Sequence, residues 1–149
     1  MKNCFIIDID GTLANGAHRQ HFLDQKPKDW DGFYAGALED APFEHMRSVL
    51  HGLMCVGVLV FVSGRPEALR AVTIQWLRKH KFWYVIQDPP LYLRHDGDFR
   101  PDDLIKKELL ARLRADGYNP TMAFDDRDRV VKMWRANGIP CAQVAEGDF

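Results

Sequence analysis

A short apolar run that ends in two closely spaced aspartates is the feature that most constrains this chain. Residues 4–7 (CFII) are continuously apolar, which is typical of a strand buried in a parallel sheet. The sequence DIDGT follows directly at residues 8–12. Side chains two residues apart on a strand share a face, so Asp8 and Asp10 are expected to project together from the strand's carboxyl end. Gly11 then permits a sharp turn.

The chemistry open to two neighbouring carboxylates is narrow. They repel each other, so the pair formed by Asp8 and Asp10 needs a proton, a cation or both. Such a pair fits phosphoryl transfer, in which one aspartate attacks as nucleophile and the other moves a proton. A divalent metal ion would neutralise the remaining charge.

Size and composition predict one soluble globular domain. The chain has 149 residues, of which 46% are hydrophobic and 28% charged, and this suits a single domain with a full core. A formal net charge of −1 provides no overall basic field for nucleic acid, although a local basic patch is compatible with it. No signal peptide or membrane span is predicted. The cysteines are expected to be small core residues of a reducing, cytoplasmic protein; they are Cys4, Cys55 and Cys141.

The order of the predicted elements alternates between strands and helices. Strands are predicted over residues 4–7, 56–62, 83–87, 122–124 and 141–144, with a brief edge pairing at 91–93. Helices are predicted over residues 42–52, 66–79, 102–115 and 128–136, and residues 14–41 form an irregular polar insert. This alternation predicts an α/β fold, a parallel sheet with helices on both faces.

Polar groups follow three of the predicted strands at their carboxyl ends. They are Asp8 with Asp10, the sequence SGR at residues 63–65, and Asp125 with Asp126. In open α/β sheets, ligands bind outside the carboxyl ends of the strands. Each group alone could be a turn or a helix cap, but their coincidence favours one shared site.

These segments resemble the haloacid dehalogenase superfamily of phosphatases. The DIDGT sequence matches the first motif of the superfamily, Ser63 the second, Lys106 the third, and Asp125-Asp126 the fourth. The likeness is most specific to the 3′-phosphatase domain of phage and bacterial polynucleotide kinase-phosphatases, and it covers nearly the whole chain. The supporting segments are VSGR at 62–65, RPDDLIK at 100–106, DDR at 125–127, VKMWR at 131–135 and QVAEGDF at 143–149.

The resemblance implies a fold and a mechanism. The fold would be Rossmann-like with three layers, and residues 14–41 would form a small cap after the first strand. Asp8 would be the nucleophile that forms an aspartyl-phosphate, and Asp10 would protonate the leaving oxygen and later deprotonate the attacking water. Ser63 would donate its hydroxyl to a phosphoryl oxygen, while Lys106 would neutralise charge on that group and on Asp8.

The resemblance also implies a Mg²⁺ site. The ion would be held by Asp8, by the backbone carbonyl of Asp10 and by Asp125, with Asp126 close by. The number of acidic groups supports a cation independently, because each pair of like charges costs about 1–4 kcal/mol at a separation of a few Å. Oxygen ligands beside a phosphate suit Mg²⁺ better than Zn²⁺, and no cluster of Cys or His competes.

Further residues are candidates for binding the substrate: Thr12, Arg19, Gly64, Arg65 and Asp102. The guanidinium groups of Arg19 and Arg65 would clamp phosphate oxygens, with a surface arginine as the alternative interpretation of Arg19.

The third motif leaves two questions of pairing open. Asp102 lies four residues before Lys106 on a predicted helix, so it is expected to pair with the lysine and orient it, or else to cap the helix. Lys107 is an alternative to Lys106 by residue type. The spacing from Asp102 favours Lys106.

The substrate has several open interpretations. A small cap leaves the pocket accessible to a polymer end, and Trp30, Phe33 and Tyr34 could stack on a nucleobase or could anchor the cap on the core. The principal prediction is a Mg²⁺-dependent phosphatase that removes 3′-phosphates from DNA or RNA ends. The alternatives are a phosphatase of nucleoside monophosphates or other small phosphomonoesters, and a non-catalytic module that binds phosphorylated ends.

The 149 residues contain no GxxxxGK[S/T] sequence, so phosphorylation of 5′ ends by the P-loop route is not predicted. A kinase or ligase partner is expected to act separately. The oligomeric state stays open, as does the choice between a stand-alone protein and a domain of a longer one.

Overall fold

The computed structural model describes residues 1–149 and shows an α/β fold. In chain order the strands are β1 (Lys2–Ile7), β2 (Ala14–Asn15), β3 (Ala41–Pro42), β4 (Val58–Pro66), β5 (Leu91–Arg94), β6 (Tyr118–Asp125) and β7 (Cys141–Gln143). The helices are α1 (His21–Asp24), α2 (Trp30–Ala35), α3 (Glu44–Met54), α4 (Arg70–Lys79), α5 (Asp102–Ala115) and α6 (Asp128–Ala136).

Five of the strands form one parallel sheet with the order β5-β4-β1-β6-β7. β1 occupies the centre, and its neighbours on the two sides are β4 and β6. The three strands that end in polar groups are therefore adjacent, and their carboxyl ends meet at one edge of the sheet. The predicted parallel sheet is confirmed.

Alternating side chains of the sheet supply two separate cores. On β4, Val60 and Val62 belong to one core, whereas Leu59 and Phe61 belong to the other. This alternation follows from the two-residue period of a strand. The first core is closed by α5 and α6, through Ile105, Leu109, Leu110, Leu113, Val130, Val131, Met133 and Trp134. The second is closed by α3 and α4, through Met46, Leu50, Trp76 and Leu77. Helices thus cover both faces, as predicted.

The strand predicted over residues 83–87 is wrong. This segment is a loop, and the edge strand that pairs in parallel with β4 is β5, at the position where only a brief pairing was expected. The guanidinium group of Arg78 donates to the carbonyls of residues 85–87, so those carbonyls are engaged by a side chain. Trp83 is buried in the core. The apolar character of Trp83 therefore reflects packing in the core rather than strand structure.

Several predicted boundaries shift at proline residues. The helix expected from residue 42 begins at Glu44, because Pro42 pairs with Ala14 across β3 and β2. The helix expected from residue 66 begins at Arg70, since β4 continues to Pro66 and a tight helical turn follows at residues 67–69. Both prolines thus occupy extended backbone before the helix.

The insert at residues 14–41 is more regular than predicted. β2 and β3 pair at its base, and it contains α1 and α2. The expectation that all three cysteines are core residues is also wrong, because Cys4 and Cys141 are buried but Cys55 is exposed at the end of α3. None of the helices has the length and apolar character that crossing a membrane requires.

Candidate active site

A cleft of about 840 Å³ lies over the carboxyl ends of β1, β4 and β6. Its walls come from the DIDGT segment, the insert, the loop between β5 and α5, and the first turns of α5 and α6. This volume falls within the range of about 300–1,000 Å³ that is typical of small-molecule sites. The strand ends that the sequence singled out therefore converge on one pocket.

Asp8 is held at the end of β1 by donors to both of its carboxylate oxygens. Lys106 Nζ donates to Oδ1 at 2.7 Å, and Thr12 Oγ1 donates to Oδ2 at 2.8 Å. The residue is only 4% exposed. Burial raises the pKa of Asp8 well above its ordinary value, and repulsion from Asp125 adds to this, while Lys106 opposes it. The carboxylate has one fixed orientation and is energetically costly to ionise.

The ends of β1 and β6 together form a carboxylate cluster, defined here as Asp8, Asp125 and Asp126. One oxygen from each residue lies within 4.8 Å of the others, and all three residues are buried. Burial also raises the pKa of Asp126, with Asp125 as the second cause. Closely spaced carboxylate oxygens are the donors that Mg²⁺ prefers. The carboxylate cluster therefore fits the predicted metal ion.

Lys106 supplies a positive charge inside the carboxylate cluster. Its Nζ lies 2.7 Å from Asp8 Oδ1 and 2.9 Å from Asp125 Oδ2, and the residue is 1% exposed. Burial alone would lower the pKa of Lys106, but Asp125 and Asp8 outweigh it and raise the value. Lys107, the alternative by residue type, is exposed. Of the two lysines, the structure places Lys106 in the site.

Gly11 makes the close approach of the two loops possible. Its φ of 84° lies in the left-handed region, and a Cβ at this position would lie 2.1 Å from Asp126 Oδ2. The glycine is thus required by the turn, as predicted, and also by the space that Asp126 occupies.

Asp10 has an electrostatic environment opposite to that of Asp8. Arg65 donates to both of its oxygens, with Nη2 2.7 Å from Oδ1 and Nε 2.9 Å from Oδ2, and Arg19 Nη2 lies 3.1 Å from Oδ1. Desolvation would raise the pKa of Asp10, but the guanidinium groups outweigh it and lower the value. Asp8 and Asp10 therefore have different electrostatic environments within one cleft.

Sequence analysis missed Asp40, a buried residue that holds both arginines. It accepts hydrogen bonds from Arg19 Nε and Nη2, each at 2.7 Å, and from Arg65 Nη2 at 3.2 Å. Its Oδ1 is also 2.8 Å from His18 Nε2. Arg19 is therefore buried rather than a surface residue, and neither arginine stands free as a phosphate clamp. A buried arginine requires an acidic partner, but no motif distinguishes Asp40 among 21 acidic residues.

Replacing Asp40 with asparagine is expected to destabilise the protein by about 2 kcal/mol, since hydrogen bonds to charged groups are worth about 1.5–3 kcal/mol each. The amide retains one acceptor oxygen but loses the charge that offsets Arg19 and Arg65. Urea unfolding checks the change, with the exposed Asp24→Asn as the control. An unfolding free energy equal to that of the wild type would contradict the importance of this ion pair.

Ser63 and Gly64 lie inside β4, close to its carboxyl end. The hydroxyl oxygen of Ser63 accepts a hydrogen bond from the Arg65 backbone N–H at 3.1 Å, so the hydroxyl proton is left to donate elsewhere. A Cβ at Gly64 would lie 2.1 Å from Asp102 Oδ1. The glycine therefore allows β4 and the start of α5 to approach closely.

The predicted pair between Asp102 and Lys106 is wrong. Asp102 accepts a hydrogen bond from Arg94 and lies 3.4 Å from Arg127 Nη1, whereas Lys106 contacts the carboxylate cluster. The alternative of a helix cap is also wrong, because α5 begins at Asp102 itself and Pro101 precedes it. Partners from other elements thus replace the i,i+4 pair on the helix.

The aromatic side chains of the insert have different surroundings. Trp30, Phe33 and Tyr34 are partly buried and line the cleft. The guanidinium carbon of Arg19 lies 4.2 Å from the centre of the Phe33 ring, so this ring packs against the arginine that contacts Asp10. Trp30 contacts Phe99 in the loop between β5 and α5, with ring centres 6.2 Å apart.

The arrangement of strands and strand-end residues defines a class of protein, the phosphatases of the haloacid dehalogenase superfamily. The class C acid phosphatase from Bacillus anthracis has the same fold, with a TM-score of 0.65 over 97% of this chain and 68% of that chain, at 14% identity. Residues 2–149 match the family described as the polynucleotide kinase PNKP phosphatase domain, and the chain belongs to this family.

Two relatives extend this result. The chain is 29% identical to a putative bifunctional polynucleotide kinase/RNA ligase of Autographa californica nuclear polyhedrosis virus. The matched region is 136 residues long and covers 91% of this chain. It is 31% identical to a chain in the structure of a Pnkp1/Rnl/Hen1 complex, with a TM-score of 0.79 over the whole of this chain. This chain spans 18% of the viral relative and 48% of the chain in that complex. The predicted superfamily and phosphatase class are confirmed, which favours an enzyme over a module that only binds.

Proposed function

We propose that this chain is a Mg²⁺-dependent phosphomonoesterase that removes 3′-phosphates from polynucleotide ends through an aspartyl-phosphate on Asp8. The observation that carries the proposal is the contrast between two aspartates in one cleft. Asp8 is buried against Lys106, and Asp10 is held by Arg65 and Arg19. The ammonium group of Lys106 favours the ionised form of Asp8 that a nucleophile needs, and Asp10 is a second carboxylate in the same cleft that can carry the proton.

In the first half of the reaction, an oxygen of Asp8 attacks phosphorus, and the bond between phosphorus and the 3′ oxygen breaks. Lys106 offsets the charge of the phosphoryl group, and the hydroxyl of Ser63 donates to one of its oxygens. Asp10 gives a proton to the departing oxygen. Because the arginines lower the pKa of Asp10, it acquires this proton only when the negative phosphate enters beside it and raises the value.

In the second half, a water oxygen attacks phosphorus and the bond from phosphorus to Asp8 breaks. The water proton passes to Asp10, which the first half left ionised, so the starting protonation state is restored. Inorganic phosphate leaves, and the net reaction adds one water molecule across the phosphoester. The arginines beside Asp10 stabilise the ionised form that this half requires.

We assign the metal ion to Asp8, Asp125 and the backbone carbonyl of Asp10, with Asp126 close by. When bound, Mg²⁺ would supply positive charge against the carboxylates and the phosphate. The support is a charge imbalance: the carboxylate cluster brings three acidic groups within 4.8 Å, and Lys106 alone opposes them.

The polynucleotide substrate is inferred from the family and the relatives. The family is described by the phosphatase domain of a polynucleotide kinase, and the relatives include a Pnkp1/Rnl/Hen1 RNA repair complex. We infer that this chain prepares DNA or RNA ends alongside a kinase or ligase activity supplied by another chain or domain. The insert at residues 14–41 acts as the small cap, and its short length leaves the cleft open to a polymer end.

Phosphate release from a panel of substrates tests the proposal. The panel contains oligonucleotides with 3′-phosphate, 2′-phosphate, cyclic phosphate or 5′-phosphate ends, together with a 3′-mononucleotide. We expect the 3′-phosphate end to be the best substrate, with activity abolished by EDTA and restored by Mg²⁺, because the carboxylate cluster needs a cation.

Two outcomes would contradict separate parts of the proposal. Equal kcat/KM values for the oligonucleotide and the mononucleotide would support the small-substrate alternative. Full activity in EDTA would remove the metal ion from the mechanism.

A further inference from the structure

An exposed phenylalanine lies on the wall of the active-site cleft. Phe99, in the loop between β5 and α5, is 72% exposed, although it lines the same cleft as Asp8 and Lys106. A large apolar side chain in water is unfavourable unless something covers it. Single exposed apolar residues are common on protein surfaces, so the exposure of Phe99 gains meaning from its position on the wall of this cleft.

The backbone on both sides of Phe99 is tied to the active site. Arg94 Nη1 donates to the carbonyls of Asp98 and Arg100, each at 2.9 Å, and Arg94 Nε donates to the carbonyl of Gly64. One guanidinium group therefore links the loop to the strand end that carries the second motif. The Phe99 ring is presented at a defined place relative to the site.

Phe99 is also part of a continuous aromatic surface. The centre of its ring lies 6.2 Å from that of Trp30, and the two ring planes make an angle of 45°. Trp30 in turn contacts Tyr34, with ring centres 5.7 Å apart, and the Lys28 ammonium lies 5.8 Å from the Trp30 ring. The two outermost rings, Phe99 and Trp30, are called the aromatic rim below. They contact each other, and Phe99 is the more exposed of the two.

The cleft is larger than a phosphoryl group needs. Its volume of about 840 Å³ lies near the upper end of the range of about 300–1,000 Å³ for sites that hold drug-sized ligands. Room therefore remains beside the phosphate position for a nucleoside. The positive charge of Lys28 next to the aromatic rim suits a ligand that carries further phosphates.

We propose that the aromatic rim is a stacking platform for the base of the nucleotide that carries the terminal phosphate. This inference rests on the proposed 3′-phosphatase function. It identifies the base of the terminal nucleotide as a part of the substrate that the protein contacts in addition to the phosphate. Every nucleobase offers a π face, so the platform provides affinity for a nucleotide end without preference for its sequence.

The test compares two oligonucleotides that differ only in one base. Both carry a 3′-phosphate, but in the second the 3′-terminal nucleotide is abasic. For the wild type we expect a KM about 10-fold higher on the abasic end, with kcat little changed, because stacking binds the substrate and the transition state equally.

Substitutions at Phe99 should remove this difference. In Phe99→Ala, the ratio of the two KM values is expected to fall from about 10 towards one, because the intact end loses one of its two stacking partners. Phe99→Leu keeps an apolar side chain without a ring and should behave in the same way, whereas Phe99→Trp should restore the ratio. Tyr84→Ala is the matched control, since Tyr84 is a 59% exposed aromatic residue outside the cleft and its removal should leave the ratio at the wild-type value.

The outcomes separate this inference from the proposed function. A wild-type enzyme that cleaves both 3′-phosphorylated ends with equal KM would overturn the platform and leave the 3′-phosphatase proposal intact. A Phe99→Ala variant that retains the wild-type ratio of KM values would also overturn the platform. So would a variant whose KM rises equally for both oligonucleotides, since that result indicates a structural role. A wild type that hydrolyses small phosphomonoesters but neither oligonucleotide would overturn both proposals.

Discussion

Replacing Asp8 with asparagine is expected to abolish phosphomonoester hydrolysis and leave the fold intact. The substitution preserves the shape of the side chain but removes the ionised oxygen proposed as the nucleophile, and loss of a nucleophile typically costs at least about 10⁴-fold in rate. The fold should tolerate the change because the amide also removes repulsion with Asp125, and Lys106 retains Asp125 as a partner. Phosphate release and thermal unfolding measure the two effects.

A covalent intermediate gives this prediction a second readout. With an oligonucleotide that carries a radiolabelled 3′-phosphate, acid quenching should trap label on the wild type and none on Asp8→Asn. The exposed Asp24→Asn, with the same chemical change outside the cleft, serves as the control for activity and labelling. An Asp8→Asn variant with wild-type turnover would remove Asp8 as the nucleophile.

Replacing Lys106 with methionine is expected to impair both stability and activity. Without the ammonium group, Asp8 and Asp125 remain buried with no cationic side chain in contact, and breaking a buried ion pair in this way costs about 3–5 kcal/mol. The rate should fall by at least about 10²-fold, because a preorganised charge next to the phosphoryl group is lost. Urea unfolding without divalent ions measures the first effect.

Mg²⁺ should compensate part of the stability loss in this variant. A ligand that binds only the folded state stabilises it by mass action, and the carboxylate cluster without Lys106 has more uncompensated negative charge. The rise in melting temperature on adding Mg²⁺ should therefore be larger for Lys106→Met than for the wild type. Lys107→Met, which changes the adjacent exposed lysine, is the matched control. A Lys106→Met variant as stable as the wild type would contradict the role of Lys106 as the charge partner of Asp8 and Asp125.

The core of the site was accessible to sequence analysis because its geometry follows from local rules. Asp8 and Asp10 end a strand, and so do Asp125 and Asp126, and parallel strands align their carboxyl ends at one edge of the sheet. The superfamily motifs added Lys106 and implied its position beside Asp8. The i,i+4 argument alone did not predict that position. That argument chose the correct lysine and assigned it the wrong partner, Asp102.

The network around Asp10 was not accessible in this way. Arg19 and Asp40 are 21 residues apart in the chain, and Arg65 and Asp10 are 55 apart. No periodicity connects such positions, because the first contact forms when the insert closes on itself and the second when β4 pairs with β1. Asp40 therefore had no signal of its own, although the burial of Arg19 and Arg65 demands a carboxylate of this kind.

The wrong prediction of a strand at residues 83–87 also arose from a contact that the local sequence pattern does not show. An apolar run can belong to a strand or to a loop that contributes side chains to the core, and periodicity alone does not separate the two. Arg78 decides the matter here by donating to the backbone carbonyls of this segment. A hydrogen bond from a side chain on a neighbouring helix is invisible in the local pattern.

The sequence by itself determined the α/β class, the position of the site at the strand ends and the acidic residues that form its centre, because these depend on the order of hydrophobic segments and on motifs a few residues long. The tertiary structure alone decided how the arginines pair. Arg65 and Asp10 are 55 residues apart, and only packing brings their atoms to 2.7 Å. The physical reason is that burial forces each charge to find a partner, and the partner it finds is the nearest in space rather than in the chain.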